Sequence, residues 1–394
     1  MRRHRRRTAL LATVALLGTA AAWAAAPSGG VAGLRAVPPA DCAALGRPAG
    51  TGFYEPNAPY ADPRDDRADW RLATPEARGL SSARLRAAGA ALAGRPGVRS
   101  LLVLRGGALV YERYLHGGRR DRSTNVHSAS KSMLQALTGI AIARGDLAGP
   151  DVPLADALPG YLPAGSPKGA ITVRRLLTMT SGLAWTEDRT EHRIAARPDW
   201  VRAILDQPYR AGEPFTYSTG NTHVLSAVLQ RATGMSTCAF AGRYLFGPLG
   251  ITPEHWPRDP RGVYAGGFNL YLTPRELAKF GQLYLDGGRW RGRRVVPAAT
   301  VRQASAVTTP RAGGPYGYAA GWWATTVRGQ RVALAWGWGG QYVAVLPGAG
   351  LVVSVTQDTR GDPHAVEARE LDIRAFLARY VLPALRPGMD TPRG

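Results

Sequence analysis

The sequence predicts an α/β fold of the α+β kind, with a mostly antiparallel sheet flanked by helices and an inserted helical region. Three observations carry this. Strand-like apolar runs gather near both ends of the chain. A long middle stretch reads as helix broken by Pro and Gly. The later strands follow one another through short turns, which favours antiparallel pairing. A chain of 394 residues, 45% hydrophobic and 20% charged, is long enough for one large domain or two. Intrinsic disorder, collagen and a multi-span membrane protein are excluded by the same composition. The 48 Gly and 30 Pro argue for many turns rather than one long bundle.

Taken in order, residues 1–26 read as a targeting segment. Arg2, Arg3, Arg5, Arg6 and Arg7 precede an uncharged run from Thr8 to Ala26, whose Ala24-Ala25-Ala26 end suits a signal peptidase. The run fits a cleaved signal peptide or an uncleaved anchor. Either way the rest is expected outside the cytoplasm, secreted or anchored to the outer face of the membrane. Residues 27–75, rich in Pro, Ala, Gly and charge, read as a linker or N-terminal extension. One domain is expected over 76–385, its α/β part at about 76–127 and 306–385 and its helical part at about 128–305, followed by a tail at 386–394.

Within that domain, Ser81 and Ser82 can cap a helix running through Leu85 to Leu92. The runs Leu101–Leu104 and Leu109–Tyr111, separated by Gly106-Gly107, predict a β-hairpin. Helices are predicted at Met133–Ala143, Trp200–Leu205, Val224–Ala232 and Arg275–Leu285. Strands return at Gly321–Val327, Val332–Ala335, Tyr342–Leu346 and Leu351–Thr356, and a last helix is predicted over Ala365–Tyr380.

The formal net charge is +22, and only Lys131, Lys168 and Lys279 of the 50 basic residues are lysine. The arginines are scattered and no nucleic-acid-binding motif accompanies them. They read as a basic surface, with no nucleic-acid partner. Cys42 and Cys238 are the only cysteines, able to form one disulfide in an oxidising compartment but not a zinc site. No metal or cofactor is expected. A membrane contact is expected only through an N-terminal anchor.

The segment Val126-His127-Ser128-Ala129-Ser130-Lys131-Ser132-Met133 carries the chemistry. It holds Ser-x-x-Lys at the mouth of a predicted helix, a spacing that puts both side chains on one face. A serine hydroxyl needs a base before it can attack a carbonyl, and a lysine amine made neutral by burial can be that base. Arginine cannot. The helix start also offers N–H groups to a developing oxyanion. Alone, the pair equally fits a helix cap followed by a surface lysine.

The surrounding words decide between these. Ser128-Ala129-Ser130-Lys131 is followed by Ile171-Thr172-Val173-Arg174-Arg175-Leu176-Leu177-Thr178-Met179-Thr180-Ser181-Gly182-Leu183 and Phe215-Thr216-Tyr217-Ser218-Thr219-Gly220-Asn221. Then come Leu272-Thr273-Pro274-Arg275-Glu276-Leu277-Ala278-Lys279-Phe280-Gly281 and Gly337-Trp338-Gly339-Gly340-Gln341. In this order and spacing the chain resembles the serine β-lactamase and penicillin-binding-protein superfamily, from about Trp70 to Tyr380. The likeness is to its class C-like branch, which includes 6-aminohexanoate-dimer hydrolases and family VIII carboxylesterases. The resemblance implies a β-lactamase/transpeptidase-like fold.

It also implies roles. Ser128 would be the nucleophile, Lys131 its activating partner, and Tyr217 a phenol that relays a proton between nucleophile and leaving group, especially as a phenolate beside Lys131. The oxyanion hole would be the N–H groups of Ser128 and Gln341. Thr219 stands where the family's Tyr-x-Asn word has asparagine, and Asn221 is the candidate to replace it. Trp338-Gly339-Gly340 stands for the Lys-Thr-Gly motif, its glycines letting substrate approach the strand. Without that lysine the usual partner of a substrate carboxylate is missing. Glu187, or Asp188 beside it, is a candidate for a substrate amine, and Trp185 and Tyr342 for an acyl pocket. His192, His223, His255 and Trp256 read as packing or loop residues.

The expected function is an exported serine hydrolase that cleaves small esters or linear amides through an acyl-enzyme on Ser128. The alternatives are a peptidoglycan-directed D-Ala peptidase or β-lactamase on the same scaffold, and a catalytically silent cell-surface binding domain.

Overall fold

The computed structural model describes Cys42 and residues 70–386, apart from 213, 308 and 311–313. The targeting segment, most of the linker and almost all of the tail lie outside the described residues. Strands β1 (Val98–Arg105) and β2 (Ala108–Tyr114) meet at Gly106-Gly107. Both glycines have positive φ, 54° and 73°, the conformation a two-residue hairpin turn requires. Next to β1 lies β12 (Leu351–Gln357), antiparallel, with Val103 opposite Val353. The sheet continues through β11 (Gln341–Leu346), β10 (Gln330–Gly337), β9 (Trp322–Val327), β8 (Gly317–Ala319) and β7 (Thr309–Pro310). It has eight strands, and every named pair is antiparallel. Two small ladders join β3 (Thr124–Asn125) to β4 (Tyr271–Leu272) and β5 (Arg289–Trp290) to β6 (Arg293–Arg294).

The helices that bear on the site are α1 (Ser82–Ala93), α2 (Ser130–Arg144), α3 (Arg189–Ala195), α4 (Thr219–Thr233), α5 (Pro274–Leu285), α6 (Pro363–Ala368) and α7 (Ile373–Phe376). Central strands are buried on both faces, so they read as continuous apolar runs instead of alternating ones. Leu102, Leu104, Val343, Val345 and Val352 face a core shared with Met133 and Leu137 of α2 and Leu277 and Phe280 of α5. Their neighbours Leu101, Val103, Ala344, Leu346 and Val353 face Leu85 and Leu92 of α1 and Phe376 of α7. The first core runs without a break into the helices between α2 and α5. Helices α2 and α5 therefore lie on the sheet itself, although both fall in the stretch read as the helical part.

The α5 word is explained locally. Pro274 opens the helix, Thr273 Oγ1 accepts from Glu276 N at 3.2 Å, and Glu276 Oε2 accepts from Thr273 N at 2.9 Å. Gly281 lets the helix press on the sheet, since a Cβ there would meet Val343 at 2.5 Å and Val352 at 2.6 Å. The single helix predicted over Ala365–Tyr380 divides into α6 and α7. The reason is Asp372, whose carboxylate accepts from Ala375 N at 3.0 Å and starts a new helix.

Cys42 and Cys238 form a disulfide with Cα atoms 6.0 Å apart, joining positions 196 residues apart in sequence. Cys238→Ser is expected to lower the unfolding free energy by about 2–5 kcal/mol, because a bridge closing so long a loop restricts the unfolded chain. Equal urea midpoints for the oxidised parent and the variant would show that the bridge adds nothing.

Candidate active site

Ser128 sits in the turn His127–Ala129 that leads into α2. Asn125 shapes this turn: its Oδ1 accepts from His127 N at 2.9 Å, and its Nδ2 donates to Asn269 Oδ1 at 2.9 Å. Ser130 Oγ donates to His127 O at 2.6 Å, and His127 takes a φ of 47°. One helical turn on, Lys131 is 1% exposed. Its Nζ donates to Ser128 Oγ at 2.9 Å, to Thr219 Oγ1 at 3.0 Å and to Gly267 O at 3.0 Å. Burial lowers the Lys131 ammonium to about 8, with Glu187 and Glu191 pulling the other way. A neutral amine beside a serine hydroxyl thus becomes available as pH rises toward 8, far below the range of an exposed lysine.

Tyr217 hydrogen-bonds Ser128 through its hydroxyl. Its ring stacks on Trp323 at 5.5 Å and meets Tyr318 edge-on at 6.1 Å, with Lys131 Nζ 5.2 Å from its centre. Burial, with the Glu187 charge, pushes this phenol well above its ordinary range. The phenolate expected from sequence is therefore disfavoured. Burial thus favours the neutral phenol at Tyr217 and the neutral amine at Lys131.

Several residues singled out in the sequence are occupied elsewhere. Glu187 is turned inward: Oε1 accepts from Thr219 N at 2.8 Å and Trp185 Nε1 at 2.6 Å, and Oε2 from Thr219 Oγ1 at 2.8 Å. These donors use the oxygens that a substrate amine would need. Asn221 is 1% exposed, its Oδ1 taken by Ser181 Oγ at 2.8 Å, so it braces the base of α4. Trp185 covers Gly220, where a Cβ would lie 2.4 Å from the indole, and is part of the core. Tyr342 points its hydroxyl into the C-terminal layer, donating to Leu371 O at 2.9 Å and Glu370 Oε1 at 2.5 Å. Asp188 supplies the cap of α3.

The third motif also differs from expectation. Gly339 and Gly340 have φ of 69° and 90° and turn the chain from β10 into β11. A Cβ on Gly340 would lie 1.4 Å from Gln357 Nε2, and one on Gly339 2.7 Å from Thr359 Cγ2. Protein packing, not an approaching substrate, requires these glycines. Gln341 is fully buried at the start of β11, opposite Gly337, its side chain paired with the Gln357 backbone. The strand end beside the nucleophile is Gly337–Trp338. A Cβ on Gly337 would lie 2.1 Å from Val126 O, and the Trp338 ring meets His127 at 5.4 Å. Trp338 Nε1 donates to Glu367 Oε1 at 3.0 Å.

Three contributors were missed in the sequence. Glu191, 7% exposed, lies against Glu187. Their spacing of four at a helix start was a usable signal. Gly267 presents its carbonyl to Lys131, and a Cβ there would meet Lys131 Cγ at 2.4 Å, which explains the Gly266-Gly267 pair. His223, read as packing, is fully buried and paired with Asp259 at 3.1 Å. Its other ring nitrogen accepts from Gly266 N at 3.4 Å, so this pair anchors the loop that carries Gly267.

A family model described as Beta-lactamase matches residues 81–377. The chain is 27% identical over 216 residues to the 6-aminohexanoate-dimer hydrolase of Paenarthrobacter ureafaciens, covering 50% of this chain and 54% of that one. It thus spans about half the length of this curated relative. Among solved structures it resembles a penicillin-binding protein homologue from Caulobacter crescentus, at 18% identity and a TM-score of 0.56, over 73% of this chain and 95% of that one. A D-stereospecific amidohydrolase from Streptomyces sp. superposes at 21% identity and a TM-score of 0.52, over 72% of this chain and 96% of that one. At these identities the structural likeness is one of fold. Motif order, sheet topology and a family match over residues 81–377 agree: the chain belongs to the Beta-lactamase family and has its β-lactamase/transpeptidase-like fold.

Proposed function

We propose that this protein is a serine hydrolase that cleaves small esters or linear amides through an acyl-enzyme on Ser128. The observation that carries the reading is the buried Lys131 amine 2.9 Å from Ser128 Oγ. Neutral Lys131 takes the serine proton as Oγ attacks the carbonyl carbon. Backbone N–H groups hold the oxyanion. Ser128 supplies one. Trp338 replaces Gln341 as source of the second, because Gly337 and Trp338 flank the nucleophile turn. The proton passes through the Tyr217 phenol to the leaving group, and water then releases the acyl group.

The substrate class draws support from the third motif. The strand end beside the nucleophile, Gly337–Trp338, carries an indole and no lysine to hold a substrate carboxylate, and that indole has a glutamate as its partner. Carboxylate-bearing β-lactams and D-Ala peptides lose their anchor there. The names of two matched proteins, a 6-aminohexanoate-dimer hydrolase and an amidohydrolase, are in keeping with amide substrates. Export is part of the proposal, supported by the Arg-rich start with its uncharged run and by the disulfide.

The test is covalent capture. A fluorophosphonate probe is expected to label the peptide containing Ser128, p-nitrophenyl butyrate to be hydrolysed, and fluorescent penicillin to leave no stable adduct. A lasting penicillin adduct without ester turnover would move the assignment to a peptidoglycan-directed enzyme. A folded protein inert to all three would be a binding domain.

A further inference from the structure

Thr219, the residue that departs from the family word, lies between two charged groups. Its Oγ1 accepts from Lys131 Nζ at 3.0 Å and donates to Glu187 Oε2 at 2.8 Å. With one proton and two neighbours, the hydroxyl is fully engaged, and the three side chains form a continuous line. Behind Glu187, hydrogen-bonded to it, is the buried carboxyl of Glu191. Burial, and then the Glu187 charge, raise the Glu191 carboxyl well above its usual range, so Glu191 keeps a proton beside Glu187.

Resting on the acyl-enzyme reading above, we propose that Glu187, backed by the buried Glu191 carboxyl, serves through the Thr219 hydroxyl as the proton store for Lys131. The step is balanced. The Lys131 ammonium gives a proton to Thr219 Oγ1 while Thr219 gives its own to Glu187 Oε2. An ammonium and a carboxylate become an amine and a carboxylic acid, with no change in net charge. The amine is then ready for Ser128, and the reverse step restores the ion pair. Thr219, Glu187 and Glu191 act through Lys131, so they are positioning residues.

The surroundings favour the neutral amine at the Lys131 end of this line and the neutral acid at Glu191, behind the other end. Burial lowers Lys131 to about 8. Burial first, then the Glu187 charge, raises the Glu191 carboxyl well above its usual range. Of the other titratable groups facing Lys131, His127 is held neutral by burial at about 3, and Tyr217 is a neutral phenol. The third motif contributes an indole and no ammonium, so the device replaces the positive neighbour that could otherwise strip Lys131 of its proton.

The rival account is a bystander charge that only stabilises the Lys131 cation, and it predicts the opposite sign. Removing Glu187 would then favour the neutral amine and speed the enzyme at pH 7. The experiment measures kcat and KM for p-nitrophenyl butyrate from pH 6 to 10 in the parent and in Thr219→Val, Thr219→Ser, Glu187→Gln and Glu191→Gln. Thr219→Val and Glu187→Gln are expected to lower kcat at pH 7 by about 100-fold, the low end of what a placed proton-transfer group contributes, with KM within about twofold. The deficit is expected to shrink at pH 9–10, where Lys131 loses its proton to solvent. Glu191→Gln shows a smaller loss of the same form, and Thr219→Ser recovers the rate to within about threefold of the parent.

Parental or faster rates at pH 7 in folded Thr219→Val and Glu187→Gln would overturn the proposal. So would an equal loss at every pH. If Thr219→Val does not fold, as judged by its thermal midpoint, the contrast between Glu187→Gln and Thr219→Ser decides the matter alone. A parent that neither turns over ester nor takes the fluorophosphonate label fails the acyl-enzyme reading and the relay with it. An active parent with unaffected variants fails the relay only.

Discussion

Ser128→Ala is expected to abolish ester and amide hydrolysis, lowering kcat by about a thousandfold or more, with the fold intact. The magnitude follows from the kind of group removed. Without Oγ there is no acyl-enzyme, and whatever rate remains comes from the oxyanion donors acting on bound water. Stability is expected to change little. Ser128 is partly exposed, and its Oγ is one of three acceptors around Lys131, of which Thr219 and Gly267 remain. Measuring p-nitrophenol release beside the thermal midpoint separates the two effects. Activity surviving in the variant would show that another side chain is the nucleophile.

Lys131→Arg is expected to be nearly as damaging, and the pH profile of the parent shows why. Lys131 is lowered from its ordinary value to about 8 by burial, so it becomes the neutral base as pH rises through 8 and is a cation below it. The rising limb of kcat/KM is therefore expected near pH 8, with about tenfold lost per unit well below it. Arginine keeps the positive charge and the approximate length but cannot give up its proton at these pH values. The Lys131→Arg variant should stay inactive up to pH 10, while its loss of structure is limited to repacking one buried side chain. Substantial activity in this variant, or a flat profile in the parent between pH 6 and 9, would remove Lys131 from the role of base.

Much of the fold was legible because its signals are local. The Gly106-Gly107 turn needs positive φ at two positions, and only a few dipeptides supply that. Thr273, Pro274 and Glu276 announce α5 through capping that spans four residues. Where local reading went astray, two local signals competed. Over Ala365–Tyr380 the apolar spacing of a helix outweighed Asp372, which in the folded chain starts a helix of its own. Within the site, Ser128 and Lys131 were legible because one helical turn holds both, and Tyr217 because its motif is distinctive. Glu187 and Trp185 were placed in the right neighbourhood, yet their orientation was not. An acidic residue in a loop looks the same in sequence whether it meets solvent, substrate or, as here, the backbone N–H and hydroxyl of Thr219.

What the sequence determined by itself is the class of fold, the order of its strands and helices, and the presence of a serine with a lysine one turn away. Those depend on periodicity, capping and turn chemistry, all of which act over a few residues. Only the tertiary structure decided that Glu191 lies against Glu187, that the Gly267 carbonyl binds Lys131, and that β10 brings Trp338 to the nucleophile turn. These contacts join residues far apart in sequence, 136 positions for Lys131 and Gly267, or turn on which way a side chain faces. They are set by how helices pack on the sheet. The same packing removes Lys131 from water, and it is this burial that turns an ordinary cation into a base.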